Sequence, residues 1–251
     1  RADGIPLYAV ETVRMLVSQG RLVPDGDVYR PVGEIDAIAV PETLTALIAA
    51  RLDGLDAADR SLIEDAAVLG QSFTPAALAA ISGTDSADLE PRLRALVRRE
   101  LLVLEADPRS PERGQYVFVQ ALIREVAYNT LSKRDRKTRH LAAARYFEAL
   151  GSDELAGGLA GHYLAAQRLA GDGPEADALA AQARVALRGA AERAAALGSH
   201  AQALTFIDLA LAVTSDVGER ADLHERAVES AKHGIDADVV DWFKKQGRGY
   251  Q

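Results

Sequence analysis

The sequence contains no cysteine, one tryptophan, one methionine and five phenylalanines among its 251 residues. Without cysteine the chain has no disulfide, no thiolate zinc site and no cysteine nucleophile, and it suits a reducing cytoplasm. Its apolar residues are mostly alanine and leucine, which favours close-packed helices over a sheet protein. No apolar run approaches the roughly 20 residues of a membrane helix. We expect a cytoplasmic, mainly α protein with no membrane partner.

Acidic residues outnumber basic ones, 37 against 29, and the net charge is −8. Nucleic-acid binding relies on a basic face, so this balance argues against direct DNA or RNA binding. Two local clusters depart from the average: Arg92, Arg94, Arg98 and Arg99, and then Lys133, Arg134, Arg136, Lys137, Arg139 and His140. We interpret the first as a solvated or interdomain face. The second is mostly a solvated helix start.

The polar residues show no catalytic or metal-binding pattern. The histidines are His140, His162, His200, His224 and His233, and none has metal-ligand spacing such as His-Glu-x-x-His. No Gly-x-Ser-x-Gly elbow occurs. We interpret His162 and Tyr163 as a packing pair. The carboxylates are scattered, mostly at expected helix caps and exposed faces, so the sequence predicts no metal site and no catalysis here.

The first 54 residues predict two helices around a small hairpin. Gly4 and Pro6 fix a bend. After the bend, apolar residues recur at helical spacing until Gly20, at Leu7, Val10, Val13, Leu16 and Val17. Residues 22–30 form the predicted hairpin, with Asp25-Gly26 supplying the turn. Pro41 is expected to begin the second helix, which ends at Gly54.

Residues 55–131 predict three helices followed by two strands. Asp56 is the expected cap of a helix from Asp59 to Leu69, and Thr74 precedes a helix over 75–82. Asp85 or Ser86 caps the third helix, whose buried positions are Leu89, Leu93, Leu96 and Val97. Strands over 101–105 and 115–119 enclose a charged loop. This order is typical of a winged helix.

The remaining residues predict almost pure helix. Helices over 121–131 and 133–150, with Ser132 as a cap, precede an alanine-rich stretch interrupted by glycines, which suggests stacked antiparallel helix pairs. The spacing of Gly198, Ala203, Ile207 and Ala210 resembles the second half of a tetratricopeptide repeat. The alanines would lie where neighbouring helices approach closely. A second, degenerate repeat is expected at 159–170.

An ordered set of motifs resembles the region after the ATPase core in bacterial STAND signalling ATPases, which are relatives of NB-ARC and AAA-type switches. The set comprises Gly4-Ile5-Pro6, Val40-Pro41-Glu42-Thr43-Leu44, Ala50-Arg51-Leu52-Asp53, Ala66-Ala67-Val68-Leu69-Gly70, Arg98-Arg99-Glu100-Leu101-Leu102 and residues 118–128. The similarity covers roughly residues 1–215 and is greatest to proteins that carry a class III adenylate/guanylate cyclase domain. LuxR-type transcription regulators share the same middle region.

This resemblance implies a helical lid at 1–54, a winged helix at 55–131, TPR-like α-solenoid helices at 132–218 and an atypical helix and tail at 219–251. In the family, the proline matching Pro6 packs on adenine, and a histidine near Gln120 contacts phosphate. Gly4, Pro6 and Gln120 would therefore meet ATP or ADP held by an upstream core. Many relatives have histidine at the position of Gln120 and asparagine at that of Ile5.

The implied function is regulatory. Because residue 1 is arginine and no Gly-rich Lys-Ser/Thr loop occurs, we expect the downstream part of a larger switch, with no cofactor and no enzyme activity of its own. Its partners would be the ATPase core, which the basic run at 133–140 could contact, and a protein or small-molecule signal on the repeats. The output would be a nucleotide cyclase or, alternatively, a DNA-binding domain.

The last residues do not continue the repeat pattern. The stretch 235–251, Ile-Asp-Ala-Asp-Val-Val-Asp-Trp-Phe-Lys-Lys-Gln-Gly-Arg-Gly-Tyr-Gln, resembles the first helix of a BrnA-type ribbon-helix-helix antitoxin. That module also needs a preceding strand and a second helix. A chance match and an altered reading frame are the alternatives, and this segment alone would not bind DNA in that way.

Overall fold

The computed structural model describes residues 6–25, 28–32, 43–152 and 155–233. The predicted tail motif at 235–251 lies outside them. The chain divides into two compact units between Ser132 and Lys133. Eleven helices and five short strands occur in the described residues, which confirms the prediction of a mainly α fold. None of these helices has the length and apolarity needed to cross a bilayer.

The first unit begins with two helices around a hairpin. These elements are α1 (Pro6–Ser18), β1 (Leu22–Asp25), β2 (Val28–Pro31) and α2 (Leu44–Asp53). The antiparallel strands pair Leu22 with Pro31 and Asp25 with Val28, and residues 26–27 between them lie outside the described part. Pro41, which was expected to begin α2, lies outside the described residues. Thr43 is extended, and its hydroxyl accepts from the Ala46 N–H at 3.1 Å, so the helix starts at Leu44.

The buried face of α1 differs from the predicted apolar stripe. Val10 and Val13 are 44% and 37% exposed, whereas Met15 is 1% exposed and Glu11 is fully buried. Glu11 and Met15 lie four residues apart and therefore share one face of the helix. The apolar spacing located the helix but did not identify its buried side.

Three helices and a small sheet follow, and then a fourth helix. They are α3 (Ala57–Leu69), β3 (Ser72–Phe73), α4 (Pro75–Ser82), α5 (Ser86–Arg98), β4 (Leu102–Leu104), β5 (Tyr116–Phe118) and α6 (Ala121–Thr130). The sheet is antiparallel with the order β3-β5-β4. Asp56, Thr74 and Asp85 each accept a backbone N–H at a helix start, so α3 begins at Ala57, two residues before the predicted start.

The core of this unit lies between these helices and the sheet. Leu89, Leu93 and Leu96 of α5 are at most 1% exposed and pack with aromatic residues of the sheet. Phe73 and Tyr116 stack with ring centroids 6.2 Å apart. Large side chains from α2 to α6 and from the three strands fill this core, and Leu101 and Leu102, which follow α5, belong to it.

The second unit consists of five helices in the described residues. They are α7 (Lys133–Leu150), α8 (Ala156–Ala170), α9 (Pro174–Ala196), α10 (His200–Ala212) and α11 (Val217–His233). Each packs against the next along the chain. The core is rich in alanine from α7 to α11, because close helix contacts leave little room for larger side chains. The predicted boundary at residue 219 falls inside α11.

Candidate functional site

A buried carboxylate on α1 is the centre of a polar cluster in the first unit. Glu11 is fully buried, and its two oxygens accept from three side chains. Arg14 Nη1 lies 2.7 Å from Oε1, Gln120 Nε2 lies 2.9 Å from Oε1, and Arg51 Nη1 donates to Oε2. These donors come from α1, α2 and the start of α6, so one side chain joins three parts of the unit.

Arg51 extends the cluster to the end of α5. It lies in the last turn of α2 and is 5% exposed. Its Nη2 donates to the carbonyl oxygen of Arg99 at 2.9 Å, which is the residue that caps α5. The guanidinium therefore satisfies a helix-terminal carbonyl and the Glu11 carboxylate together.

The energetics of this cluster are set by its burial. A buried ion pair is weak evidence of net stability, because desolvation opposes the attraction between the charges. Removing one partner of a buried pair typically destabilises the protein by about 3–5 kcal/mol, because it leaves an uncompensated buried charge. Glu11 and Arg51 therefore depend on each other, and α1 cannot leave this surface without exposing both.

Glu100 adds backbone strain beside the cluster. Its φ of +55° makes it the only non-glycine residue with a positive φ in the described part of the chain. The N–H groups of Glu100 and Leu101 donate to Val97 and Leu96 carbonyls at 2.9 and 3.1 Å, a helix ending that usually places glycine at the left-handed position. The Glu100 carboxylate pairs with Arg14, which gives the glutamate a contact that glycine lacks.

The three residues predicted to meet a nucleotide have different outcomes. Gly4 lies outside the described residues, and Pro6 is the first residue of α1 with a side chain that is not described. Gln120 is the N-cap of α6 but makes no side-chain capping bond, and its amide N–H is donated to Glu11. Its Oε1 is buried and accepts no hydrogen bond within the described residues. The nucleotide role of all three stays a prediction.

The predicted repeat contacts lie in the second unit. Ala203, Ile207 and Ala210 are 0%, 2% and 1% exposed on α10, which packs against α9 and α11. Gly198 differs, because an added Cβ would meet no atom within 4 Å. Its φ of +75° and the bonds from Gly198 and Ser199 to the carbonyls of Ala195 and Ala194 end α9 instead.

A close approach that the repeat pattern did not identify occurs at Gly157 in α8. A Cβ there would lie 3.0 Å from Phe206 Cζ on α10, which is tighter than ordinary van der Waals contact. Phe206 thus packs on the bare backbone of another helix. Repeat spacing within one helix does not include this pair, because Gly157 and Phe206 lie on different helices, far apart in sequence.

Two histidines form a buried pair in the second unit. The Nδ1 atoms of His140 and His162 are 2.9 Å apart, and the residues are 7% and 6% exposed. One ring must donate and the other accept. Burial lowers the pKa of His162 to about 4, so it is neutral at physiological pH. His140 is likewise buried, at the end of a basic run that was predicted to be mostly a solvated helix start.

His162 and Tyr163 are both buried, but they contact different residues. The ring of His162 lies 5.3 Å from that of Phe147 between centroids, whereas the Tyr163 hydroxyl donates to Glu148 at 3.1 Å. Burial and this hydrogen bond raise the pKa of Tyr163. In the described residues, no group of three or more histidine, aspartate or glutamate side chains could hold a metal ion.

Both basic clusters contain paired residues. Arg92 donates to the buried Asp59 at 2.9 Å, and Arg94 donates to Glu90 at 3.0 Å. In the second cluster, Lys137 lies 2.8 Å from Glu175. Arg99 caps α5 and does not belong to the helix itself. The guanidiniums of Arg92 and Arg94 are thus held by carboxylates and do not form an open basic face.

Sequence reasoning missed Glu11 because a glutamate in a helix is usually solvated. A usable signal existed, because Arg51 is the only charged residue among positions 44–52 and Glu11 is the only acidic residue of α1.

No protein-family model matches the chain, and no curated protein or solved structure matches it either.

Proposed function

We propose that the chain is a regulatory segment of a STAND-type signalling ATPase, with the first unit as lid and winged helix and the second as a sensor surface. The observation that carries the proposal is the burial of Glu11. It joins the helix next to the Gly-x-Pro motif to α2 and to the start of α6. A lid joined in this way would move together with the winged helix when a nucleotide-binding core opens or closes.

The topology of residues 57–118 supports the winged-helix interpretation. A helix, a short strand, two helices and two further strands follow in order, and the central strand β5 pairs with both β3 and β4. In this interpretation, the loop between β4 and β5 is the wing. The carboxylate partners of Arg92 and Arg94 favour an interdomain role over reading of DNA by α5.

The sequential packing of α7 to α11 supports the sensor role of the second unit. Each helix contacts its neighbours in the chain, as in repeat proteins whose exposed surfaces bind partners. A protein or small molecule bound there would shift the switch only if it had different affinity for the closed and open states. The proposed partners are thus an ATPase core that binds ATP or ADP and a separate signal.

The output domain comes from the resemblance. We propose control of a class III nucleotide cyclase in the cytoplasm, with no enzyme activity in these 251 residues. Cyclic-nucleotide production by the product of the complete gene would test this assignment. Specific binding of that product to promoter DNA, without cyclase activity, would replace it with the LuxR-type alternative.

Nucleotide retention tests the central assignment. The complete gene product would be purified without added nucleotide, and its bound nucleotide extracted and quantified. We expect ADP in the wild type and less of it in Pro6→Ala and Glu11→Gln, because the first removes the expected adenine contact and the second weakens the joint between lid and wing. The exposed Arg94→Gln is the control. Equal retention in all four proteins would reject the proposal, as would ATP turnover by the present chain that is lost on mutating a residue within it.

A further inference from the structure

A cavity of about 300 Å³ lies in the first unit between α1, the β1–β2 hairpin and the end of α5. Its apolar lining includes Val13, Val17, Leu55 and Leu101, with Tyr29 at the hairpin side. A shallower depression beside it shares Val13 and Tyr29. This volume is at the lower end of the range for small-molecule sites, which combine apolar walls with a few polar groups.

Four arginines also line the cavity, and they are not equivalent. Arg51 and Arg14 are paired with Glu11, and Arg14 is paired with Glu100 as well. Two positive charges are therefore balanced by two carboxylates. Arg98 and Arg99 are exposed, and within the described residues neither guanidinium has an ion pair or a side-chain hydrogen bond.

The cavity thus carries an excess of positive charge in a chain of net charge −8. Local charge of one sign in a concave, partly apolar site concentrates ligands of the opposite sign. Guanidinium groups match carboxylate, sulfonate and phosphate oxygens through paired N–H donors. A cation at Arg98 is expected in the last turn of α5, because it interacts favourably with the helix dipole. The dipole does not explain the apolar residues that line the opposite wall of the cavity.

The backbone that carries these arginines is held in place. The Arg99 N–H donates to the Ala95 carbonyl at 3.0 Å, and the Arg99 carbonyl accepts from Arg51. Glu100 is kept at a positive φ next to it. Strain of this kind persists where surrounding contacts fix the conformation, and a fixed site loses less entropy when it binds a ligand.

We propose that this cavity binds a small organic anion with an apolar body. The anionic group lies at Arg98 and Arg99, and the body contacts Val13, Val17 and Leu55. Such a ligand touches both α1 and the end of α5, so it acts on the first unit and is separate from the signal assigned to the helical repeats. The inference does not depend on the nucleotide-binding role.

Fluorescence of anilinonaphthalenesulfonate, an aromatic sulfonate, tests the proposal on the full chain. The probe is titrated into the protein and then displaced with decanoate, with decanol as the uncharged match of equal length. We expect saturable binding, displacement by decanoate at lower concentration than by decanol, and weaker binding at higher salt. Equal displacement by the two compounds would overturn the anionic assignment, as would displacement by ADP but not by decanoate.

Variants locate the site. The double variant Arg98→Gln/Arg99→Gln should weaken decanoate binding by about tenfold or more, because charge-assisted hydrogen bonds are lost. Val13→Trp should block the cavity and remove binding without changing charge. Arg94→Gln, exposed on the same helix but outside the cavity, should bind like the wild type. Unchanged binding in either of the first two proteins would place the ligand elsewhere and overturn the proposal.

Discussion

The two units bury their helices with different side chains. Alanine supplies three of the nineteen buried residues in the core of the first unit and eight of sixteen in the second. Large side chains fill the first core, so removing volume should damage it. Helix backbones approach closely in the second, so adding volume should damage it. Their buried polar groups differ as well: a charged cluster around Glu11 in one unit and a buried histidine pair in the other.

The largest effect is expected at the charged cluster. Glu11→Ala leaves Arg51, 5% exposed, without its carboxylate and should destabilise the first unit by about 3–5 kcal/mol. Urea denaturation, monitored by circular dichroism, measures this loss of stability. Glu90→Ala removes an exposed ion pair with Arg94 and should cost at most about 0.5 kcal/mol. Similar losses in the two variants would mean that Glu11 does not hold a buried arginine.

The histidine pair should make the second unit sensitive to acid. The pKa of His162 falls from 6.5 to about 4 on folding, so the unfolded chain takes up a proton that the folded chain excludes. This contribution to stability is present above pH 6.5 and is lost as the pH falls towards 4, by about 3 kcal/mol in total. Denaturation of the wild type and His162→Leu across this range measures it.

The difference in the free energy of unfolding between the wild type and His162→Leu should be constant above about pH 7.5, where His162 is neutral in both the folded and the unfolded state. This difference should shrink as the pH falls. A constant difference over the whole range would contradict the lowered pKa. Because both proteins have the same surface carboxylates, the effect of titrating those groups cancels in the difference between the two free energies of unfolding.

Enlarging the small residues tests the close packing of the second unit. Ala203→Leu and Ala210→Leu should each cost about 1–3 kcal/mol by overpacking, because both side chains are at most 1% exposed. Gln202→Leu, at an exposed neighbouring position, should change stability by less than about 0.5 kcal/mol. Equal denaturation midpoints for the three variants would show that α10 is not tightly packed between its neighbours.

The smallest effect concerns helix starts, which differ between α4 in the first unit and α10 in the second. Thr74 accepts the Ala77 N–H at 3.1 Å, whereas Ser199 makes no side-chain capping bond at the start of α10. Thr74→Ala should cost about 1 kcal/mol, and Ser199→Ala a few tenths. The same denaturation experiment compares the two variants, and a larger loss of stability at Ser199 would contradict the capping assignment of these two helices.

The local features of the fold were predictable from the sequence. Thr74-Pro75 gave the start of α4, and Asp56 gave the cap of α3, because capping chemistry involves residues only a few positions apart. Strand β3, two residues long, has no periodic pattern. It exists only through its pairing with β5, which no local window contains.

The candidate site required contacts that are distant in sequence. Glu11 meets Arg51 across 40 positions and Gln120 across 109. Spacing rules for a single helix do not contain such pairs, and the apolar stripe of α1 even favoured the wrong face. The family resemblance drew attention to Gln120, but the structure directs its amide to Glu11. The repeat alanines were easier to locate, because their spacing follows from one helix alone.

Hydrogen exchange of the α1 amides tests most directly whether Glu11 fastens the first helix to the rest of its unit. In the wild type, we expect the α1 amides after the first turn to open with the same free energy as those of α3, as one cooperative element. In Glu11→Gln, α1 should exchange faster than α3, which would show separate opening. Exchange of α1 that is independent of α3 in the wild type, and unchanged by the substitution, would contradict this account.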